Sequence, residues 1–172
     1  MESLVDKGLV KAIGLSNFNT SQVQRVLDHC RIKPVMLQLE LHPCNPCFKT
    51  QEFCKEKDIL MTASSPLGSP TRPPHLNKGE PPLLEDSRVA EIARAHNKSP
   101  AQVLIRYCIQ RGIAVIPKSA NPQRLAANLQ VFDFTLTEEE ITTLNSFNTF
   151  SHFIVPELMK KHKDYPYHEG VE

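Results

Sequence analysis

Four short apolar runs, KAIGLSN (11–17), VMLQLEL (35–41), ILMTASS (59–65) and IAVIPKS (113–119), each end in small polar or proline-bearing residues and each lead into a helical pattern. Repeated strand-then-helix units build a parallel sheet, and such sheets collect ligand-binding groups at the carboxyl ends of their strands. Four units are half of a closed (β/α)8 barrel, which takes about 250 residues. At 172 residues the expectation is therefore an α/β fold, an incomplete (β/α)8 TIM barrel of four βα units with a final helix and tail. Such a chain carries half of an active site.

A chain of this length buries one core, and 40% apolar with 23% charged residues is ordinary for a globular domain. Twenty basic residues against nineteen acidic ones are scattered along the chain and create no field that recruits nucleic acid or an anionic membrane. No apolar run approaches the roughly 18 residues of a spanning helix. The start, MESLVDKGLV, lacks the basic and apolar segments of a secretory signal, so a cytoplasmic location is expected. Five cysteines without framework spacing fit reduced thiols better than disulfides.

Punctuation along the chain is clear. Met1 to Lys7 reads as the end of a helix that passes through Gly8 into the first strand. Asn19 and Thr20 offer a cap for a helix carrying Val23, Val26 and Leu27, and a short helix is expected near Thr50 to Lys57. From Pro66 to Pro82 six prolines make a long excursion over the strand ends. An amphipathic helix is expected from Leu83 to Asn97. Ser99-Pro100 and Asn121-Pro122 are cap-and-proline starts, the first opening a helix that Gly112 ends, the second a helix to about Gln130. Thr137 opens a last helix whose Glu138 to Glu140 suit the positive end of its dipole.

IPKSANPQRLAAN (116–128) is the most specific stretch. Lys118 offers a point charge, Ser119 a hydroxyl, the following helix its free N–H groups, and Arg124 a planar cation that can also stack on a base. That set suits a phosphate monoester, although residue types alone fit an ordinary solvated loop as well.

Together with GLVKAIGLSNFN (8–19), QLELHP (38–43), SPLGSP (65–70), AQVLIRYCIQRGIAVIPKS (101–119), VFDF (131–134) and HKDYPYHE (162–169), this stretch resembles the aldo-keto reductases, their aldose reductase-like subgroup in particular. The resemblance is to the carboxyl-terminal half, so the units are the barrel's last four, residues 1–172 form a single partial domain, and 148–172 resembles a substrate-loop tail. It implies NADP(H)-dependent reduction of small-molecule aldehydes and ketones. By that resemblance Ser16, Asn17 and Gln38 hold the nicotinamide carboxamide, Ser65, Leu67 and Ser69 line the pyrophosphate, and Lys118, Ser119, Arg124 and Asn128 bind the 2′-phosphate and adenine. Amides and hydroxyls satisfy a carboxamide's donor and acceptor together.

The departures are specific. Ser64 stands where the family has a tyrosine stacked on the nicotinamide, Thr71 and Ala127 where acidic residues latch a loop and bind the adenine amine, and Leu37 where an asparagine precedes Gln38. Each weakens cofactor retention, Ser64 most directly. The family's catalytic aspartate, tyrosine, lysine and histidine belong to the first four units. No catalytic residue is therefore assigned here, and the chain alone is expected to be inactive. Tyr107 is expected on a buried helix face. The alternative is a non-catalytic interaction protein that pairs with itself or with an intact relative through open barrel edges.

Smaller candidates compete. Cys44-Asn45-Pro46-Cys47 has CxxC spacing without a second pair, so a metal or redox module is a third reading. Glu40 shares a strand face with Gln38 and suits structural hydrogen bonding better than catalysis. His75, His152, His162 and His168 are expected in solvent.

Overall fold

The computed structural model describes residues 1–70, 82–147, 152–153 and 157–167. Its elements run α1 (Glu2–Asp6), β1 (Gly14–Ser16), α2 (Thr20–Leu27), β2 (Met36–Glu40), α3 (Phe48–Glu56), β3 (Leu60–Ser64), a 3-10 turn (Leu83–Glu85), α4 (Ser87–Ala95), α5 (Pro100–Gln110), β4 (Ala114–Val115), α6 (Pro122–Leu129), α7 (Glu138–Asn145) and a 3-10 turn (Glu157–Met159). The strands hydrogen-bond in sequence order, β1-β2-β3-β4. Strand and helix alternate as the apolar runs require, and β1 pairs with β2 in parallel. Thr71, His75 and His168 lie outside the described residues, as do 148–151, 154–156 and 168–172 of the 148–172 tail.

The chain divides into two compact units, Met1–Leu39 with Cys47–Thr62 and Pro156–Glu172, and Glu40–Pro46 with Ala63–Val155. In the first, Val23, Leu37, Cys54, Ile59 and Met61 are buried. Asn19 caps α2 reciprocally: its side chain accepts from the Gln22 N–H while Gln22 Oε1 accepts from the Asn19 N–H. Gly8, at φ +67°, turns the chain out of α1. The register sets Gly14 against Met36, Leu15 against Leu37 and Ser16 against Gln38. A Cβ built on Gly14 would lie 2.8 Å from the Met36 carbonyl oxygen and 3.2 Å from its Cβ, and backbone in a ladder has little room to yield. Gly14→Ala is thus expected to cost about 1–3 kcal/mol. A lower urea midpoint at unchanged slope would show it; an unchanged midpoint would mean that β1 shifts freely.

The second unit is built on α5, where Val103, Leu104, Ile105, Tyr107 and Cys108 are all buried. Ser99 and Gln102 form a capping box with Pro100 in the first turn, and Gly112 at φ +76° follows the helix end. The helix expected from Leu83 to Asn97 is interrupted. Asp86 adopts an extended conformation (ψ 130°) and turns its side chain back to the Arg88 N–H, so the 3-10 turn ends there and α4 begins. β4 keeps only Ala114–Val115 of the expected 113–119, and Ile116 still donates to Ala63 of β3 at 3.2 Å.

Candidate functional site

In the first unit, β1 delivers Ser16 opposite Gln38 of β2. Asn17 then leaves the strand in the left-handed region (φ 58°), which an asparagine tolerates, and its N–H donates to the Gln38 carbonyl at 2.9 Å. Register and turn thus bring Ser16, Asn17 and Gln38 together, with Ser16 and Asn17 exposed and Gln38 half-buried. Leu37, on the opposite face of β2 from Gln38, is fully buried, so the leucine at that position serves the core.

In the second unit β3 ends at Ser64, whose carbonyl accepts from the Leu41 N–H at 3.1 Å. The chain then turns through left-handed residues, Ser65 at φ 51°, Gly68 at 72° and Ser69 at 47°. The Gly68 N–H closes this turn on the Ser65 carbonyl at 2.9 Å. Beyond β4, Ser119 Oγ accepts from the Asn121 N–H at 3.2 Å, and Asn121 Oδ1 caps α6 by accepting from the Arg124 N–H at 3.0 Å. Lys118 and Arg124 are exposed. One cap therefore sets both the amino end of α6 and the base of the Arg124 side chain. Asn128 lies further along α6 and lines an apolar groove of about 530 Å³ with Ile105, Val115, Pro117, Leu129 and Phe132.

The second unit also holds a buried polar cluster that sequence reasoning found only in part. Glu40 makes hydrogen bonds within the fold, the kind of role expected of it: Oε1 accepts from His42 Nε2 at 3.0 Å and from the Phe153 N–H at 2.7 Å. His152, expected in solvent, instead sets Nδ1 3.7 Å from Glu40 Oε2 and 3.3 Å from Asn45 Nδ2. Contacts this distant in sequence leave no local pattern to read. Burial pushes the Glu40 carboxyl up, but contacts with His152 and His42, the charge of His42 and the Phe153 N–H outweigh it and bring the pKa from 4.5 to about 2.

That shift has a sign. A carboxyl more acidic in the folded than in the unfolded chain gives its full stabilisation above about pH 4.5 and loses it as pH falls toward 2. Integrated, the shift amounts to about 3 kcal/mol. The stability difference between the native chain and Glu40→Gln should therefore narrow between pH 5 and pH 3 in urea titrations. A gap independent of pH would contradict the assigned cause.

All five cysteines are free, and burial raises the Cys54 thiol to about 11, away from reactive thiolate character. Among the described residues, no group of three or more His, Cys, Asp or Glu side chains could hold a metal ion. Nor, among them, is any helix long and apolar enough to cross a membrane.

Comparison with known proteins gives this geometry a lineage. The model of the "Aldo/keto reductase family" matches residues 1–149. Aldo-keto reductase family 1 member A1-A of Danio rerio is 46% identical over 178 residues, covering 98% of this chain and 55% of that protein. The aldose reductase of Schistosoma japonicum superposes with a TM-score of 0.88 at 44% identity, over 99% of this chain and 52% of its own. An aldo-keto reductase of Bombyx mori solved in complex with NADP gives 0.88 at 36% identity, over 96% and 54%. The chain thus spans about half the length of the relatives it matches. With its parallel βα units and the strand-end motifs those units carry, the chain belongs to the aldo/keto reductase family.

Proposed function

We propose that this chain is the carboxyl-terminal, cofactor-binding half of an NADP(H)-dependent aldo-keto reductase that reduces aldehydes and ketones to alcohols. The observation that carries the reading is the meeting of Ser16 and Asn17, at the end of β1, with Gln38 in the middle of β2, where hydroxyl and amide groups match the donors and acceptor of a nicotinamide carboxamide. Ser65, Leu67 and Ser69 line the pyrophosphate on the turn whose left-handed residues are Ser65, Gly68 and Ser69. Lys118, Ser119 and Arg124 take the 2′-phosphate at the capped start of α6, and Asn128 faces the adenine.

When bound, the cofactor supplies the hydride for the carbonyl carbon. This chain's residues orient the nicotinamide face and select the phosphorylated nucleotide; no residue here is assigned the proton delivered to the carbonyl oxygen. Fold and role together read as an incomplete TIM barrel, its last four βα units, in a cytoplasmic protein that acts alone only as a binding half.

The test is a titration of the purified chain with NADPH, followed by nucleotide fluorescence, with NADH as control. Micromolar binding that prefers NADPH supports the reading. No detectable binding refutes an autonomous half-site.

A second reading, pairing with itself or with an intact relative, draws on the terminal strands of the sheet order, β1 and β4. Beside β4 the groove of the second unit exposes Leu125, Leu129 and Phe132. Light scattering after size exclusion that gives a monomer at all concentrations would remove self-pairing, and failure to copurify with a relative would remove the other form.

A further inference from the structure

Glu40 makes contacts for which nucleotide binding gives no reason. It ends β2, is 5% exposed, and accepts the backbone N–H of Phe153, which lies 113 residues further along the chain. The residue held in this way stacks its ring on His42, with centroids 4.6 Å apart and planes 12° from parallel. The same ring reaches Gly68. A Cβ placed there would lie 3.3 Å from Phe153 Cε2 and 2.8 Å from Leu83 Cδ1, so the turn passes as close to the ring as a residue without a side chain allows. Gly68 is also the residue whose N–H closes the Ser65–Ser69 turn.

We propose that Glu40 is a positioning residue that pins the chain at His152–Phe153 and, through the Phe153 ring, holds the Ser65–Ser69 turn in one conformation, so that these two residues and the turn are ordered together. The coupling stands on contacts within one unit. Its meaning for nucleotide binding rests on the reading of that turn as the pyrophosphate site. The hydrogen bond to a buried carboxylate is of the stronger, charge-assisted kind, and a packed ring transmits displacement because the interior has few voids to absorb it. Linkage then makes the effect reciprocal: a nucleotide that orders the turn also orders His152–Phe153.

The experiment is residue-resolved amide exchange on the full chain, with and without NADPH, in the native protein, Glu40→Leu, Glu40→Gln and Phe153→Leu. Glu40→Leu should speed exchange about tenfold or more at both Phe153 and Gly68 while Ile105 in α5 stays unchanged. Glu40→Gln, whose amide oxygen still accepts, should keep much of the protection. Phe153→Leu should loosen Gly68 with Glu40 intact, which keeps the test available if Glu40→Leu does not fold. Gly68 exchange unchanged in Phe153→Leu overturns the coupling whether or not NADPH binds. NADPH should slow Phe153 exchange in the native chain and bind about tenfold more weakly to Glu40→Leu. A loosened turn with undiminished affinity overturns the link to the nucleotide. Loosening in the variants, together with no NADPH binding by the native chain, supports the coupling and refutes the nucleotide reading instead.

Discussion

Arg124→Ala is expected to erase the preference for NADPH over NADH while leaving NADH affinity within about twofold of the native value. Arg124 stands in the first turn of α6, its side chain exposed and its backbone N–H held by the Asn121 cap, so truncation removes a guanidinium without disturbing the helix start. A charge-assisted hydrogen bond is worth about 1.5–3 kcal/mol, which is roughly a tenfold to hundredfold change in affinity. Exposure places the expectation at the lower end in physiological salt, and the effect should grow as salt is reduced. Arg124→Lys should fall between the two, because an ammonium keeps the charge but loses the paired N–H groups that match a phosphate. Competitive titration of both nucleotides at two salt concentrations measures all of this. An undiminished preference in Arg124→Ala would move 2′-phosphate recognition to Lys118 or away from this turn.

Signals that act within a few residues were the ones the sequence disclosed. Asn19, Ser99-Pro100, Asn121-Pro122 and Thr137 each open a helix in the structure, because a cap is completed by backbone N–H groups two or three residues on. The four strands were readable as apolar runs, but their ends were not. A run becomes a ladder only where a neighbour supplies partners, and β4 retains two residues of its seven-residue run. Asp86 shows local chemistry overruling periodicity: the apolar spacing of 83–97 continues past it, yet its side chain starts a new helix. Ser16, Asn17 and Gln38 could be named from motifs, whereas their meeting depends on strand register. The grip of Glu40 on Phe153 depends on tertiary structure alone, and so does the half-buried place of His152 beside Glu40, which no local pattern announces.

Tyr107→Ala is expected to lower the unfolding free energy by about 4 kcal/mol and Tyr107→Phe by about 1–2, with no change in nucleotide preference in any fraction that remains folded. The ring is fully buried on α5, as its helical placement suggested, and truncating a buried aromatic leaves a cavity that a packed helix closes only partly. Its hydroxyl donates to Asn145 Oδ1 at 2.8 Å and accepts from Arg111 Nη1 at 2.8 Å, while Arg111 Nη2 donates to the Pro46 carbonyl at 2.7 Å. Phenylalanine keeps the ring and removes the hydroxyl, which takes a partner from Asn145 and from Arg111 together; that loss sets the smaller figure. Arg111 also lies over the ring, 5.0 Å from its centroid, so alanine removes a cation–π contact along with the packing. Because α5 carries the core of its unit, a destabilised Tyr107 variant would also bind NADPH weakly when measured by total protein, and that loss could be misread as a catalytic or binding role. Urea melts of both variants, with nucleotide titrations corrected for the folded fraction, separate the two. Equal stability of the native chain and Tyr107→Phe would show that the hydroxyl network contributes nothing net. A changed NADPH-to-NADH ratio at full folding would instead bring Tyr107 into the binding site.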